Sequence, residues 1–230
     1  MSSRTIAVSG ALLVAVLAPA GAQAATIEPL KPCYVTAGTA AEPQAEGVEL
    51  VASGFTPNSK VDLTLDGQPF PNGVGLQTDP TGALGGLPPV PVPFIAKGSR
   101  DFTLTLTEQG NPANTATATA KTTALTVSVK PKRARPSRQI RFRGSGFTAD
   151  KGVYAHYVYK GKVRKTVRLA RRTGLCGTWE KRARQIPVED PGTGIWTVQF
   201  DQSKKYIDPA KGTITGVFVR LRIRVSLVSG

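Results

Sequence analysis

The residues in this sequence that are best suited to covalent chemistry are one histidine and two cysteines. His156 is the only histidine, and Cys33 and Cys176 are the only cysteines. A thiol beside an imidazole is the nucleophile–base pair of cysteine enzymes, so His156 and Cys176 form the pair to consider for catalysis. However, an internal repeat aligns Cys176 with Leu84, an ordinary apolar position. The sequence therefore predicts no catalytic residue and a protein that is not an enzyme.

Metal and cofactor sites are not indicated either. One histidine and two distant cysteines lack the spacing of zinc ligands, and no glycine-rich phosphate loop occurs. The acidic pair Glu189-Asp190 is followed by Pro191 and Gly192, which is typical of a turn. We expect no metal ligand, no cofactor and no small-molecule substrate.

The N-terminal residues have the pattern of a secretory signal. Arg4 supplies a positive charge, an apolar run covers 6–20, and small residues at 22 and 24 fit a cleavage site after Ala24. The run is shorter than the roughly 20 apolar residues that a membrane-spanning helix needs. The sequence predicts a signal peptide over 1–24 and a secreted or cell-envelope location.

Export has a consequence for the cysteines. An oxidising compartment favours a disulfide between Cys33 and Cys176. Such a bond would join two distant parts of the chain and restrict its unfolded state by roughly 4–5 kcal/mol in the chain-entropy model. Two free, buried thiols are the alternative.

Charge divides the chain into two unlike halves. Residues 25–125 hold five Lys or Arg and nine Asp or Glu, a net charge of −4, whereas residues 126–230 hold 24 and six, a net charge of +18. One uniform surface would not give such a split. It indicates a domain boundary near 125 and an anionic partner for the second half.

An internal repeat supports the same boundary. The tetrapeptide Ser-Gly-Phe-Thr occurs at 53–56 and again at 145–148, an offset of 92. Two more pairs keep the order: 81–85 with 173–177 at the same offset, and 102–104 with 196–198 at an offset of 94. A unit of this length is a domain.

Short alternating runs separated by Gly and Pro predict an all-β fold. We expect two tandem immunoglobulin-like β-sandwich domains after the signal peptide, an acidic one over 25–125 and a strongly basic one over 126–230. The predicted strands are 48–52, 61–65, 101–107 and 114–120 in the first domain, and 139–143, 153–159, 163–169, 195–201 and 217–227 in the second.

The repeated tetrapeptide has a physical interpretation. Its glycine permits a backbone bend at a strand end, and the phenylalanine beside it can enter the core. The segment 51–59, VASGFTPNS, resembles the strand–turn–strand signature of bacterial immunoglobulin-like domains of the IPT/TIG type, and the second copy is similar but lacks the proline. The composition is similar to that of exported actinobacterial proteins. This resemblance implies a binding module or spacer without catalytic residues.

Arginines alternate with apolar residues in several predicted strands, which places them on a solvent face. The predicted core side of 217–227 is Val217, Val219, Leu221, Ile223, Val225 and Leu227. The candidate polyanion-binding residues are Arg141, Arg143, Arg164, Arg168, Arg220, Arg222 and Arg224. Further positive charge lies at 130–138, 171–172 and 181–184.

The guanidinium fork of arginine suits phosphate and carboxylate groups. We therefore expect a non-catalytic exported binding or adhesion module that attaches to an anionic envelope polymer or another polyanion, such as lipid head groups or extracellular DNA. A structural spacer or subunit that acts through a protein partner is the alternative. A merely solvated basic surface, and docking of the acidic first half on the basic second half, also stay open.

Overall fold

The computed structural model describes residues 24–210 and 218–226, so the predicted signal peptide lies outside the described residues. The described chain is all-β apart from one short 3₁₀ turn at Leu175–Gly177. Two separate hydrophobic cores form, one from residues 25–120 and one from residues 140–225. The predicted fold class, two tandem immunoglobulin-like sandwiches, is confirmed, and the boundary at 125 stays a prediction.

The first half contains one large sheet and two small ones. Its strands are β1 (Thr26–Ile27), β2 (Cys33–Gly38), β3 (Pro43–Ala45), β4 (Gly47–Val48), β5 (Ala52–Ser53), β6 (Lys60–Leu65), β7 (Gln68–Pro69), β8 (Leu76–Gln77), β9 (Val90–Pro91), β10 (Ser99–Glu108) and β11 (Asn111–Ala124). The large sheet has the order β3-β2-β11-β10-β6-β7, with β8 also paired to β6, and the small sheets are β1-β5 and β4-β9. β2 and β11 pair in parallel.

The second half is a sandwich of a three-stranded and a four-stranded sheet. Its strands are β12 (Thr126–Lys130), β13 (Gln139–Ser145), β14 (Val153–Tyr159), β15 (Lys162–Ala170), β16 (Trp179–Arg184), β17 (Gly194–Asp201) and β18 (Phe218–Val225). The sheet orders are β12-β13-β16 and β15-β14-β17-β18. Phe142 of the first sheet packs on Phe200 of the second, with ring centroids 5.9 Å apart. Aromatic side chains therefore fill the space between the two sheets.

Most predicted strands are present, because their alternation follows burial. Phe102, Leu104 and Leu106 of β10 are buried, and the threonines between them face away from the core. The predicted strand 48–52 is wrong as one element, since β4 and β5 are separate two-residue strands in different sheets. The predicted positions of Val217 and Leu227 lie outside the described residues.

Among the described strands of five or more residues, the sequence prediction lacks three: β2, β12 and β16. In β16, Trp179 is buried, but Lys181 opposes the buried Phe142 and is itself exposed because β16 is an edge strand. The sequence WEKRAR therefore lacks the apolar alternation that marks a half-buried strand.

In both halves the glycine of the repeated tetrapeptide bends the backbone and the phenylalanine enters the core, as their residue types predict. Gly54 and Gly146 have φ of +85° and +82°, a region that favours glycine. Phe55 and Phe147, which follow them, are buried. A side chain at either glycine would meet the backbone of an earlier segment, around residue 24 in one half and Leu125 in the other.

The structure corrects the repeat alignment near Cys176. The backbone N–H of Phe55 donates to the carbonyl of Gly82, and the N–H of Phe147 donates to the carbonyl of Gly177. Gly177, rather than Gly174, thus takes the place of Gly82. The predicted match of Cys176 with Leu84 is therefore wrong, and Cys176 belongs to the turn itself.

Trp179 occupies the position that Leu84 has in the first half. Leu84 forms a bridge to Ala52, and Trp179 pairs with Gly144. A Cβ at Gly144 would overlap the indole of Trp179. The two halves thus share this contact but use side chains of different size. The first half pairs Ala52 with Leu84, and the second pairs Gly144 with Trp179.

Gly144→Ala should lower the free energy of unfolding by about 1–3 kcal/mol, because the added methyl group collides with Trp179 in a packed core. Combining it with Trp179→Leu restores the pair used by the first half. The double variant should be less destabilised than the sum of the two single variants by about 1 kcal/mol or more. Urea unfolding of the four proteins measures this coupling.

Gly85→Ala is the matched control, since nothing lies within 4 Å of its added Cβ. We expect a change within about 0.5 kcal/mol for it. Strict additivity of Gly144→Ala and Trp179→Leu would show that the two positions are not sterically coupled.

Candidate functional site

The seven candidate arginines lie on two different sheets. Arg141 and Arg143 belong to β13 of the three-stranded sheet, and the other five belong to β15 and β18 of the four-stranded sheet. The outer faces of a sandwich point in opposite directions. The sequence prediction therefore combined two surfaces that the fold separates.

On the three-stranded sheet, alternation directs the charges outward as predicted. Ile140 and Phe142 are buried in the core, so Arg141 and Arg143 point to the other face. Arg143 is exposed and Arg141 is half-buried.

A row of three cations crosses this sheet. Lys130 of β12 pairs with Arg141 of β13, and Arg141 pairs with Arg182 of β16. Directly opposed like charges destabilise a sheet. Sequence reasoning had noted Lys130 and Arg182 only as positive charge, because strand register is not visible in the sequence.

Glu180 is the carboxylate of this face. Its Oε2 accepts a hydrogen bond of 2.6 Å from Nε of Arg143, and its Oε1 lies 3.1 Å from Nε of Arg141. The hydrogen bond from Arg143 lowers the pKa of Glu180, and the positive charges of Arg141 and Arg182 lower it further. One carboxylate thus faces a larger set of cations.

We call the outer face of this sheet the basic sheet face. It carries Lys130, Arg141, Arg143, Arg182 and Arg184, together with Glu180. Within residues 24–210 and 218–226, neither Lys130 nor Arg182 nor Arg184 forms a salt bridge. Five cations against one carboxylate leave a net charge of +4 on three short strands.

The loop that follows β12 extends the positive charge. Lys132, Arg133, Arg135 and Arg138 are all exposed there. The loop is tied to the chain just after β16, because the N–H of Gln185 donates to the carbonyl of Arg138 at 2.9 Å. Its cations therefore lie beside the end of the basic sheet face.

The four-stranded sheet is different, because residues 202–210 fold back over its outer face. His156, Gln199 and Asp201 point away from the core, yet they are almost fully buried. The ring of Tyr206 lies 5.6 Å from that of His156, and the carbonyl of Ile207 accepts a hydrogen bond from Gln199. This part of the face is a covered polar layer.

His156 is held within this layer and is not paired with a thiol. Its Nδ1 is 2.9 Å from Oγ1 of Thr166, and its Nε2 is 3.2 Å from Oδ1 of Asp201 and 3.1 Å from the carbonyl of Ser203. The side chain of His156 has no exposed surface. The geometry gives it a structural role, joining β14, β15 and β17.

Burial by itself raises the pKa of Asp201, but hydrogen bonds from His156, Gln199 and the N–H of Ser203, with the charge of His156, outweigh it. The pKa of Asp201 therefore lies below its usual value. A carboxyl group with a lowered folded-state pKa stabilises the fold above its unfolded pKa of about 3.9, and this contribution disappears as the pH falls through the folded value.

Arg220 is exposed but is held by the protein itself. Its Nε donates to Oε1 of Gln199 at 3.0 Å, and its Nη2 donates to the hydroxyl of Tyr206 at 3.2 Å and lies 3.4 Å from Asp208. Its side chain is 36% exposed, so Arg220 faces outward as alternation predicts and borders the covered layer, but several of its donors are already engaged.

Arg164 is displaced by a register shift in β15. Tyr157 pairs with Lys165 and Val158 with Val163, so Arg164 has no partner in the pairing of the two strands. Its guanidinium lies 5.9 Å from the ring centroid of Tyr159. Val163, predicted to face the core, is 40% exposed. The predicted alternation of 163–169 is wrong at this end because the shift changes the direction of the side chains.

The remaining arginines of this sheet are exposed and lie at its two edges. Arg222 and Arg224 of β18 pair with Thr197 and Ile195, and Arg168 of β15 pairs with Tyr154. β14 and β17 separate the two edges. These residues do not form one continuous row.

The predicted disulfide is present. Cys33 at the start of β2 is bonded to Cys176 in the 3₁₀ turn, with Cα atoms 5.2 Å apart. Both residues are buried. The sulfur that was considered as a nucleophile is thus bonded to another cysteine.

The bond is one of two connections between the halves. The other is the chain itself, where β12 begins two residues after β11 ends and the N–H of Leu125 donates to the carbonyl of Thr36 at 2.7 Å. The hydroxyl of Ser145 donates to the carbonyl of Ala124. The junction is thus made of paired backbone and a covalent link.

Two searches of the described residues were negative. The described ranges contain no group of three His, Cys, Asp or Glu side chains arranged to hold a metal ion. None of the described helices has the length and hydrophobicity to cross a membrane.

No family model and no curated protein sequence matches the chain. The chain is similar to a structure described as a tetra-tandem repeat in the extending region of a large adhesion protein, with 16% identity and a TM-score of 0.30. The match covers 88% of this chain and 49% of the other, so this chain spans about half the length of that structure.

Replacing both cysteines by serine should destabilise the fold by roughly 4–5 kcal/mol, because the unfolded chain loses a closed loop of 143 residues. Thermal unfolding with and without reductant measures the effect, and intact mass reports the two hydrogens that oxidation removes. The double variant should not respond to reductant. A wild-type protein that is equally insensitive would show that the bond is not formed.

Asp201→Asn should lower the free energy of unfolding at pH 7 by about 1–3 kcal/mol, because a buried, hydrogen-bonded carboxylate is lost. The difference from wild type should begin to narrow below about pH 4, where the unfolded chain takes up a proton at this carboxyl, and should close as the pH falls through the lower pKa of the folded state. Urea unfolding at both pH values tests this. Asp101→Asn, at an exposed ion pair, should change stability by at most about 1 kcal/mol. A difference that persists at low pH would contradict the assigned role.

Proposed function

We propose that this chain is a non-catalytic exported binding or adhesion module that attaches to an anionic cell-envelope polymer, or to another polyanion, through the basic sheet face. The observation that carries the proposal is the row of Lys130, Arg141 and Arg182 across three adjacent strands. Such a row is electrostatically unfavourable in the free protein, and a bound polyanion would relieve it.

The proposed binding face differs from the seven arginines predicted from the sequence. Arg141 and Arg143 remain, and Lys130, Arg182 and Arg184 join them. Arg164 and Arg220 leave the set because they contact Tyr159 and Gln199 of the protein itself. The basic sheet face has no covering segment among the described residues, whereas the other face of the sandwich is partly covered by residues 202–210.

Export is part of the proposal. The Cys33–Cys176 bond supports it, because structural disulfides persist in oxidising compartments. The IPT/TIG type, the actinobacterial character and a domain division near 125 belong to the proposal as well. The IPT/TIG type and the division are supported by the tetrapeptide, whose glycine has a positive φ and whose phenylalanine is buried in both halves, and the actinobacterial character is supported by composition alone.

A second candidate function is a rigid spacer or subunit that acts through a protein partner. The junction favours it, because the disulfide and the hydrogen-bonded segment around Leu125 restrain the two halves at two points. Recovery of one defined protein with the intact chain would favour the spacer. Salt-sensitive binding to many polyanions would favour the attachment module.

The triple variant Lys130→Gln, Arg182→Gln and Arg184→Gln should weaken binding of the mature chain to heparin and to polyphosphate about tenfold or more at low salt. It should also reduce the slope of log affinity against log salt by about three, one unit for each lost contact. Binding isotherms over a series of salt concentrations measure both quantities.

The matched control is Arg168→Gln, Arg222→Gln and Arg224→Gln, which removes the same charge from the other sheet. We expect it to change affinity by less than about threefold, because charges distant from the site act only through the long-range field. Equal losses in both triple variants would show that net charge, and not the basic sheet face, drives binding. A wild-type chain that binds neither polymer at low salt would exclude the proposed function.

A further inference from the structure

A depression borders the row of cations of the basic sheet face. Its volume is about 390 Å³. It is lined by Lys130, Pro131, Gln139, Ile140, Arg141 and Arg182. All three cations of the cross-strand row therefore border the same small space.

We propose that this depression is a discrete binding site for a single phosphate group, of the phosphodiester kind found along a hydrophilic polymer. The inference rests on the proposed function and deepens it, since it names the chemical group that the face recognises. A merely basic surface would attract any polyanion, whereas a built site distinguishes phosphate from carboxylate.

Geometry is the first argument. The three cations stand on adjacent strands, which are about 4.8 Å apart, so the row spans about 10 Å at the backbone. Lys130 and Arg182 lie on the two outer strands and Arg141 lies on the middle strand. All three side chains are long enough to reach over the depression. A phosphodiester carries its charge on two non-bridging oxygens of a tetrahedral phosphorus, which can accept from three donors that approach from different directions, while the two oxygens of a carboxylate lie in one plane with their substituent.

Charge is the second argument. Glu180 pairs with Arg143 in the next row of the sheet, and its Oε1 also lies 3.1 Å from Nε of Arg141, so it compensates one of the three cations of the row. Lys130 and Arg182 form no salt bridge within residues 24–210 and 218–226. Arg184 lies on the same face and the same strand as Arg182, but it does not line the depression.

The surroundings indicate the source of the phosphate. The large hydrophobic side chains that are exposed within the described residues are Val51, Val74, Val163, Leu175, Ile195 and Phe218. None of them lies on β12, β13 or β16. Insertion into a bilayer requires exposed apolar side chains around the charged group. The face therefore fits a water-soluble phosphodiester chain and not a lipid surface.

The test is a titration of the isotopically labelled mature chain with inorganic phosphate, followed by backbone amide chemical shifts. Phosphate should shift the amides of Lys130, Arg141 and Arg182, with saturation in the millimolar range, and acetate at the same ionic strength should not. Arg182→Gln should weaken phosphate binding about tenfold, the loss of one charge-assisted contact. Arg168→Gln, the matched control on the other sheet, should weaken it less than threefold.

Each other outcome has a defined meaning. Equal shifts with acetate, equal losses in Arg182→Gln and Arg168→Gln, or shifts centred on Arg222 and Arg224 would overturn the phosphate site. If heparin and polyphosphate bind while phosphate gives no localised shifts, the proposed function stands and the phosphate site is wrong. If neither polymer binds, both are wrong.

A vesicle experiment decides the source of the phosphate. Vesicles of phosphatidylglycerol should bind no more tightly than a soluble glycerol phosphodiester at equal accessible phosphate. Much tighter vesicle binding would overturn the assignment to a soluble polymer.

Discussion

The close packing of a glycine backbone against the backbone of a phenylalanine determines much of this structure. In both halves the glycine of a turn, Gly82 or Gly177, lies so near Phe55 or Phe147 that a Cβ would overlap main-chain atoms. In the second half, β16 begins two residues after Gly177, so this contact fixes the register of the strand. A slip of one residue would turn Arg182 toward the core and separate it from Arg141. The same turn carries Cys176, so one backbone contact positions both the disulfide and the row of cations.

The sequence was informative where burial alternates cleanly. Ile140 and Phe142 sufficed to direct Arg141 and Arg143 outward, and the cysteines could be paired from their number and the predicted compartment. What alternation cannot supply is the identity of the neighbouring strand. The row of Lys130, Arg141 and Arg182 exists only because β12 and β16 flank β13, and these are two of the strands that sequence reasoning missed.

The errors have physical causes of a similar kind. Arg164 was assigned to a face by counting residues, but a register shift in β15 changes the count. Arg220 does face outward, but residues 202–210, which precede β18 in the chain, cover part of that face and bind the guanidinium through Tyr206. Leu84 and Trp179 share a position that no sequence offset of 92 reveals, because the turn before Trp179 is longer. Composition gives the amount of positive charge. The tertiary structure shows which cations contact other groups of the protein and which face outward without such contacts.

The link between Cys33 and Cys176 also determines how the protein carries mechanical load. A pulling force applied before Cys33 and after Cys176 passes through the two sulfur atoms and bypasses the chain between them, because the covalent bond is the shorter path. Both β2 to β11 and the strands from β12 to β15 lie inside that bypassed loop. Tension can therefore strip the flanking strands β1 and β16 to β18, while the core of the first half and the junction at Leu125 stay unloaded. Under tension, a chain clamped in this way can lengthen only through the residues outside the loop closed by Cys33 and Cys176.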